Sequence, residues 1–275
     1  MTENHVQDQQ KSYVLHELTS KDLKELMGVN PVMIFQTGAT EQHGPHLPIG
    51  TDSYIGEELI KRIAKHLKGK IPFLIAPPLQ FGASSHHINK NFPGTMSVQL
   101  DTYIQLIVEL CDSLIRQGFK KIFILNSHGG NHDPLKVAIR TIRDQTAEAL
   151  VALGSYYDVA GECITMIRES GSGGAAHAGE LETSCMLVIK PETVFPERFI
   201  RQVPKWKSKY LLVDMQKGGK INLAQHFYEF TPTGMVGDAT LASNEKGEQF
   251  LKEITKMLCE AIIDFSKWER GQLTE

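Results

Sequence analysis

The segment Glu41-Gln-His43-Gly-Pro-His46-Leu-Pro-Ile-Gly-Thr-Asp52 sets two carboxylates and two histidines directly after an apolar run. Imidazole nitrogen and carboxylate oxygen are the donors a divalent transition metal takes when no thiolate is offered. Gly44, Pro45, Pro48 and Gly50 shape the segment as a loop, which suits a site hung on a rigid scaffold. Glu41 and His43 stand two apart, so in an extended chain they project to one side and can reach one centre or two adjacent ones. Asp52 falls where a helix should begin. It reads either as a ligand bridging two metals or as an N-cap, and Glu41 and His43 beside it favour the metal. His46 is one imidazole too many and reads as a supporting or structural residue.

Three further clusters follow predicted strands or open predicted helices. In Asn126-Ser-His128-Gly-Gly130-Asn131-His132-Asp133, His128 is a candidate ligand, and the glycines let main chain approach a substrate or metal. Asn131 is placed to orient a ligand or a polar substrate group, while Asp133 before Pro134 reads as a helix cap. The glycine-rich run from Ser170 delivers His177, Glu180 and Glu182 to a helix start. The two acids stand two apart on a helix, so only one of them lines a site. His177 is a candidate general acid–base. In the stretch 81–95 the adjacent His86 and His87 cannot share a face, and His87 is taken as the one that touches substrate.

Gly171-x-Gly173-x-x-Ala176 imitates a dinucleotide fingerprint, but the preceding residues read as helix and not as the strand that motif requires. The sequence has no GxSxG elbow, no GxxxxGK[ST] loop and no HExxH helix.

The elements that must position these residues alternate. Strands are expected over 31–37, 71–76, 121–125 and 150–153, and helices over 53–67, 98–117, 133–148, 180–189 and 245–268. Helix, glycine, strand is the grammar of parallel α/β units. The fold class is therefore α/β: a three-layer αβα sandwich with a mostly parallel central sheet, whose sites form at the carboxyl ends of strands. A loose tail over 1–12 and a single domain over 13–275 are expected. The chain has 275 residues, 41% hydrophobic and 22% charged, with a net charge of -3. That balance offers no basic face for nucleic acid and no polybasic membrane patch. No apolar run approaches a membrane span, and the polar N-terminus is not a signal peptide. Four scattered cysteines fit a reduced, cytoplasmic protein.

Taken together, Thr37-Gly-Ala-Thr-Glu41-Gln-His43-Gly-Pro-His46-Leu-Pro, Thr51-Asp52, Phe92-Pro-Gly-Thr95, Asn126-Ser-His128-Gly-Gly-Asn131 and His177-Ala-Gly-Glu-Leu-Glu182-Thr-Ser184 resemble the creatininase (creatinine amidohydrolase) family. The motifs run in the family's order over about residues 30–190, with a weaker echo in Gly234-Met-Val-Gly237-Asp238. The resemblance implies the three-layer fold, a homohexamer, two divalent ions per subunit (Zn, Mn or Fe), and hydrolysis of a cyclic amide or related C–N bond in a small molecule. By motif, Glu41, His43, Asp52 and His128 are implied ligands, with Asp52 bridging. Creatininase carries a glutamate where this chain has Gly130, so that ligand is missing. Glu182 is the expected substitute, with Glu180 second. The departure also weakens creatinine as the substrate. His177 is expected to shuttle the proton to the leaving group, with Asn131, His87 and Gly130 contacting substrate. Two alternatives are kept: a metal-dependent C–C hydrolase opening a cyclic dione such as an oxidised inositol, and a non-catalytic metal-binding scaffold.

Overall fold

In the computed structural model, which describes residues 13–216, 218–269 and 271, each polar cluster named above lies at one edge of a parallel sheet. The tail expected over 1–12 lies outside the described residues. Helix α1 (Ser20–Met27) precedes β1 (Val32–Thr37), α2 (Thr51–Leu67), β2 (Phe73–Ile75), α3 (Leu100–Arg116), β3 (Lys121–Asn126), α4 (His132–Gln145) and β4 (Leu150–Ser155). The short helices α5 (Tyr156–Val159) and α6 (Gly161–Ile167) then lead to β5 (Ala175–His177), α7 (Glu180–Ile189), β6 (Arg201–Gln202), β7 (Val236–Asp238) and α8 (Asn244–Lys267).

Strands β2-β1-β3-β4 form one parallel sheet in that order, with Val32 in register with Phe73 and Lys121. Side chains alternate across it with the period of two that a strand imposes. Val32, Ile34, Phe123 and Leu125 face one core with Ile55, Leu59 and Ile63 of α2 and Phe250, Leu251 and Ile254 of α8. Met33, Phe35, Ile122 and Ile124 face the other, with Tyr103 and Ile107 of α3 and Leu135 and Ala138 of α4. Both faces are thus covered, which is why the strands read as unbroken apolar runs. Truncating a fully buried side chain such as Leu59 to alanine costs about 2–5 kcal/mol.

The expected strands and long helices all form, with ends shifted by a few residues. Not anticipated were α1, which opens with a capping box between Thr19 and Asp22, and a second, antiparallel sheet ordered β5-β7-β6. These strands are two or three residues long, too short to leave a periodic trace. The small sheet carries His177 to the edge of the large one. No helix among the described residues is long and apolar enough to cross a membrane.

Candidate active site

All four strands of the large sheet release chain at the same edge, and the loops there converge. Glu41 follows β1 in a loop closed by its own amide, which donates to the Ile49 carbonyl at 2.9 Å. Asp52 sits in the first turn of α2, but Gly50 is the N-cap and receives no side-chain bond. The capping reading of Asp52 therefore gives way: its carboxylate lies 3.4 Å from His43 Nε2 and 3.0 Å from His128 Nδ1. His128, just after β3, is also 3.3 Å from Glu41 Oε1.

Glu182, in the first turn of α7, approaches His43 Nε2 at 3.9 Å. Its other oxygen accepts the Ala178 amide at 2.6 Å. Ala178 holds a left-handed φ of 52°, unusual for a residue with a side chain and costing about 1–2 kcal/mol. That turn presents its amide to Glu182 and sets His177 beside His43, ring centroids 4.3 Å apart. Glu180 faces elsewhere, accepting the amides of Glu169 and Ser170 and the Lys246 ammonium at 2.6 Å.

Three groups of ligand atoms result: Glu41, Asp52 and His128; His43, Asp52 and Glu182; and Glu41, His43 and His177. The donor set fits divalent ions. His43 Nδ1 donates to the Glu41 carbonyl at 3.1 Å, and His128 Nε2 is engaged by Ser84 Oγ at 3.1 Å. Each ring thus turns its other nitrogen to the carboxylates, as metal-binding histidines do. Glu41 Oε2, His43 Nε2 and Asp52 Oδ2 are buried without a well-aligned hydrogen bond among the described residues, the last two meeting only the ion-pair contacts given above. Leaving such an atom unsatisfied costs of order 1–3 kcal/mol, so three together mark a place for cations.

The electrostatics agree. Burial alone would depress His43, but the charge of Asp52, with those of Glu182 and Glu41, lifts it to about 9. His128 is likewise carried well above its ordinary value by Glu41 and Asp52 against burial. Burial would raise Asp52, yet His43 and His128 hold it well below the usual carboxylate range. Burial lifts Glu182 to about 7 against the pull of His43. In the metal-free protein, protons on the two imidazoles supply the positive charge the carboxylates require.

Around this cluster opens a cavity of about 480 Å³, within the range of small-molecule sites. His87, His128, Gly130 and His177 line it. A Cβ on Gly130 would fall 2.5 Å from both the Ala83 carbonyl and His128 Nε2, so that position has no room for a side-chain ligand. His87 lines the cavity and also points Nε2 at Glu41 Oε1, 3.3 Å away.

Asn131, expected to meet substrate, is not brought to the cavity. It is fully buried, its oxygen accepting the Ala83 amide and its nitrogen donating to the Gly38 carbonyl, both at 2.9 Å. Asp133 is likewise no cap: it lies inside α4, exposed, beside Lys136. His46 supports the site from behind, with Nε2 2.9 Å from Thr183 Oγ1 and burial and His43 lowering it to about 4.

One feature went unread in the sequence and a second was left open. Gln42 is a buried hub between the histidines. The outer wall of the cavity comes from Leu211, Val213, Met215, Leu223, Phe227 and Phe230. The position of Gln42 between Glu41 and His43 was the available signal for the first; the second lies in 200–235, whose lysines, glycines and aromatics (Trp206, Tyr210, Phe227, Tyr228, Phe230) fit either a specificity wall or an oligomer contact, a choice the sequence leaves open because the segment carries no period.

A parallel α/β sheet with a buried carboxylate–imidazole cluster at its carboxyl edge, able to hold divalent ions, defines a class of metal-dependent hydrolases. The creatininase (creatinine amidohydrolase) family model matches residues 16–262, and the chain belongs to that family of hydrolases. It is 30% identical over 264 residues to the mycofactocin precursor peptide peptidase of Mycobacterium ulcerans, covering 94% of each chain. It is 27% identical to the 3-dehydro-scyllo-inosose hydrolase of Thermotoga maritima, over 93% of this chain and 85% of that one. Creatininase itself superposes with a TM-score of 0.75 at 26% identity, over 94% of this chain and 100% of the other. Solved creatininase forms include ones described as Mn and as Zn-Zn type.

Proposed function

We propose that the chain is a dinuclear amide hydrolase, one α/β domain over residues 13–275 supplying every ligand. Glu41, Asp52 and His128 would hold one divalent ion, and His43, Asp52 and Glu182 a second, since Asp52 belongs to both ligand sets. The observation that carries this reading is the pair of ligand sets meeting at Asp52, with buried ligand atoms left unpaired. Divalent ions bound there would lower the pKa of a bound water toward neutrality and polarise a scissile carbonyl. Zinc, manganese or iron suits the nitrogen and oxygen donors.

The chain's own residues do the rest. His177 Nε2 is held by the Gln42 carbonyl at 2.8 Å, so the ring takes and returns protons at Nδ1, which faces the cluster. The leaving amine receives its proton from that nitrogen. His87 braces Glu41, Asn131 braces the loops, and Gly130, which lines the cavity without a side chain, lets main chain approach the substrate. The apolar outer wall supports an amide substrate longer than a single small ring, in keeping with the peptidase relative. The carbon–carbon reading has no feature of this cavity behind it, and the scaffold reading gives way to a family of hydrolases.

The test combines elemental analysis of protein purified without chelator with a panel of peptide amides, cyclic amides and cyclic diones. Two equivalents of metal and amine release from amides are expected. Fewer than two equivalents under saturating zinc or manganese, or acid formation from diones alone, would overturn it.

A further inference from the structure

Gln42 stands between two ligands, yet neither of its side-chain ends touches a ligand atom of the carboxylates. Its carboxamide has one allowed orientation. The Gly44 amide donates to Oε1 at 3.0 Å, while the Gly234 carbonyl, which can only accept, lies 2.7 Å from Nε2. The flipped amide would set oxygen against oxygen there. Gly234 makes this approach feasible: its φ is +80°, and a Cβ on it would overlap the Gln42 carboxamide. The backbone amide of Gln42 is tied as well, donating to Thr95 Oγ1 at 3.1 Å.

Nε2 carries two hydrogens. One goes to Gly234, which leaves one for His87 Nδ1, 2.8 Å away. His87 Nδ1 is therefore an acceptor and its proton resides on Nε2, directed at Glu41 Oε1. The Gln42 carbonyl acts on the other ring. It can only accept, so His177 Nε2 must donate to it. That leaves His177 Nδ1 bare, 3.7 Å from Glu41 Oε1. The 3.2 Å approach between Gln42 Nε2 and His177 Nε2 sets donor beside donor and forms no bond.

We infer that Gln42 is a positioning residue that locks His87 and His177 as Nε2–H tautomers, aiming a donor at Glu41 from one ring and a lone pair toward the cluster from the other. The side chain governs His87 and the main chain governs His177. The inference rests on the proposed function only in naming Glu41 and His177 as site residues.

Long-range 15N–1H correlation spectra of the histidine rings test it, recorded on metal-free and zinc-loaded protein with rings assigned by His87→Gln and His177→Gln. Both rings are expected to show the Nε2–H pattern in the native protein. Gln42→Leu removes the side-chain donor but keeps the carbonyl, so His87 should shift toward the Nδ1–H pattern while His177 stays unchanged. Zinc affinity by calorimetry should fall about 10–100-fold, as for other partners that orient metal ligands. Gly234→Ala, which displaces the carboxamide, should move His87 in the same direction.

An Nδ1–H pattern on either native ring overturns the inference, as does an unchanged His87 in both variants or equal shifts of both rings. Should Gln42→Leu not fold, the native spectra and Gly234→Ala decide. Failure of the native protein to bind zinc would sink the dinuclear reading, while the metal-free spectra would still judge the tautomers.

Discussion

The inner and outer walls of the cavity are built on opposite principles. Glu41, His43, Asp52, His128 and Glu182 issue from strand ends and helix starts, are almost wholly buried, and brace one another. Among the described residues of the outer wall, 203–216 and 218–230, the single turn Phe227–Glu229 is the one regular element, and Ile221 and Leu223 are exposed to solvent. Two of the wall's fastenings stand closest to the site. Arg168 forms a two-pronged pair with buried Asp214 at 2.8 and 3.0 Å, and Phe227 packs on His87 with centroids 4.0 Å apart. On the proposed function, chemistry falls to the rigid side and substrate shape to the outer segment.

Breaking the inner wall should have the largest effect. Asp52→Asn removes the shared carboxylate and is expected to abolish stoichiometric metal and reduce hydrolysis by more than about 1,000-fold, beyond the loss from an outer partner. Elemental analysis and initial rates measure both; retained metal would reassign Asp52. His177→Asn should lower kcat by about 100- to 10,000-fold, the range for a lost general acid–base, while metal content stays native. A loss of metal instead would make His177 a ligand.

Arg168→Ala tests the fastening. Removing one partner of a buried pair costs about 3–5 kcal/mol, and the pair is almost fully enclosed. Hydrogen exchange should accelerate over 211–216 and KM should rise, with metal content unchanged. Unaltered exchange there would show that the pair does not hold the wall.

The inner wall should also respond to pH. With its folded value raised from 6.5 to about 9, His43 contributes stability that is fully present below pH 6.5 and is lost as pH climbs to 9. Glu182, raised from 4.5 to about 7, loses its contribution over that lower range in the same direction. Asp52, held low, acts oppositely and only in acid. Chelated protein should therefore lose several degrees of Tm between pH 6 and 9, on the order of a few kcal/mol. Protein loaded with zinc should not, because its ligands bind already deprotonated. Parallel slopes with and without metal would contradict this.

The smallest effect is reserved for the exposed edge. Leu223→Ala should leave stability within about 0.5 kcal/mol and alter KM a few-fold, with preference shifting between small and bulky amides. A matching fall in kcat would mean that the outer wall takes part in the chemistry.

Local pattern was enough for the donor types and the scaffold. The apolar runs 31–37 and 121–125 followed by polar clusters, and the helix–glycine–strand order, announced a parallel sheet with Glu41, His43 and His128 at its carboxyl edge, because strand period and ligand chemistry are both written in adjacent residues. The tertiary structure decided which side chains face that edge. Glu182 turns in because the Ala178 amide receives it, and Glu180 turns away because Lys246 and two backbone amides capture it. Asp52 gives up capping for two imidazoles, His43 from its own loop and His128 from another, and Asn131 is withdrawn from the cavity by the backbone of Gly38 and Ala83. Gln42 acquires its role only when Gly234, nearly two hundred residues away, closes over it. The Ala178–Glu182 contact is local but needs a left-handed turn that residue types do not announce, whereas the pairing of Asp52 with His128, of Glu180 with Lys246, of Asn131 with Gly38 and Ala83 and of Gln42 with Gly234 each joins partners that no window of sequence contains.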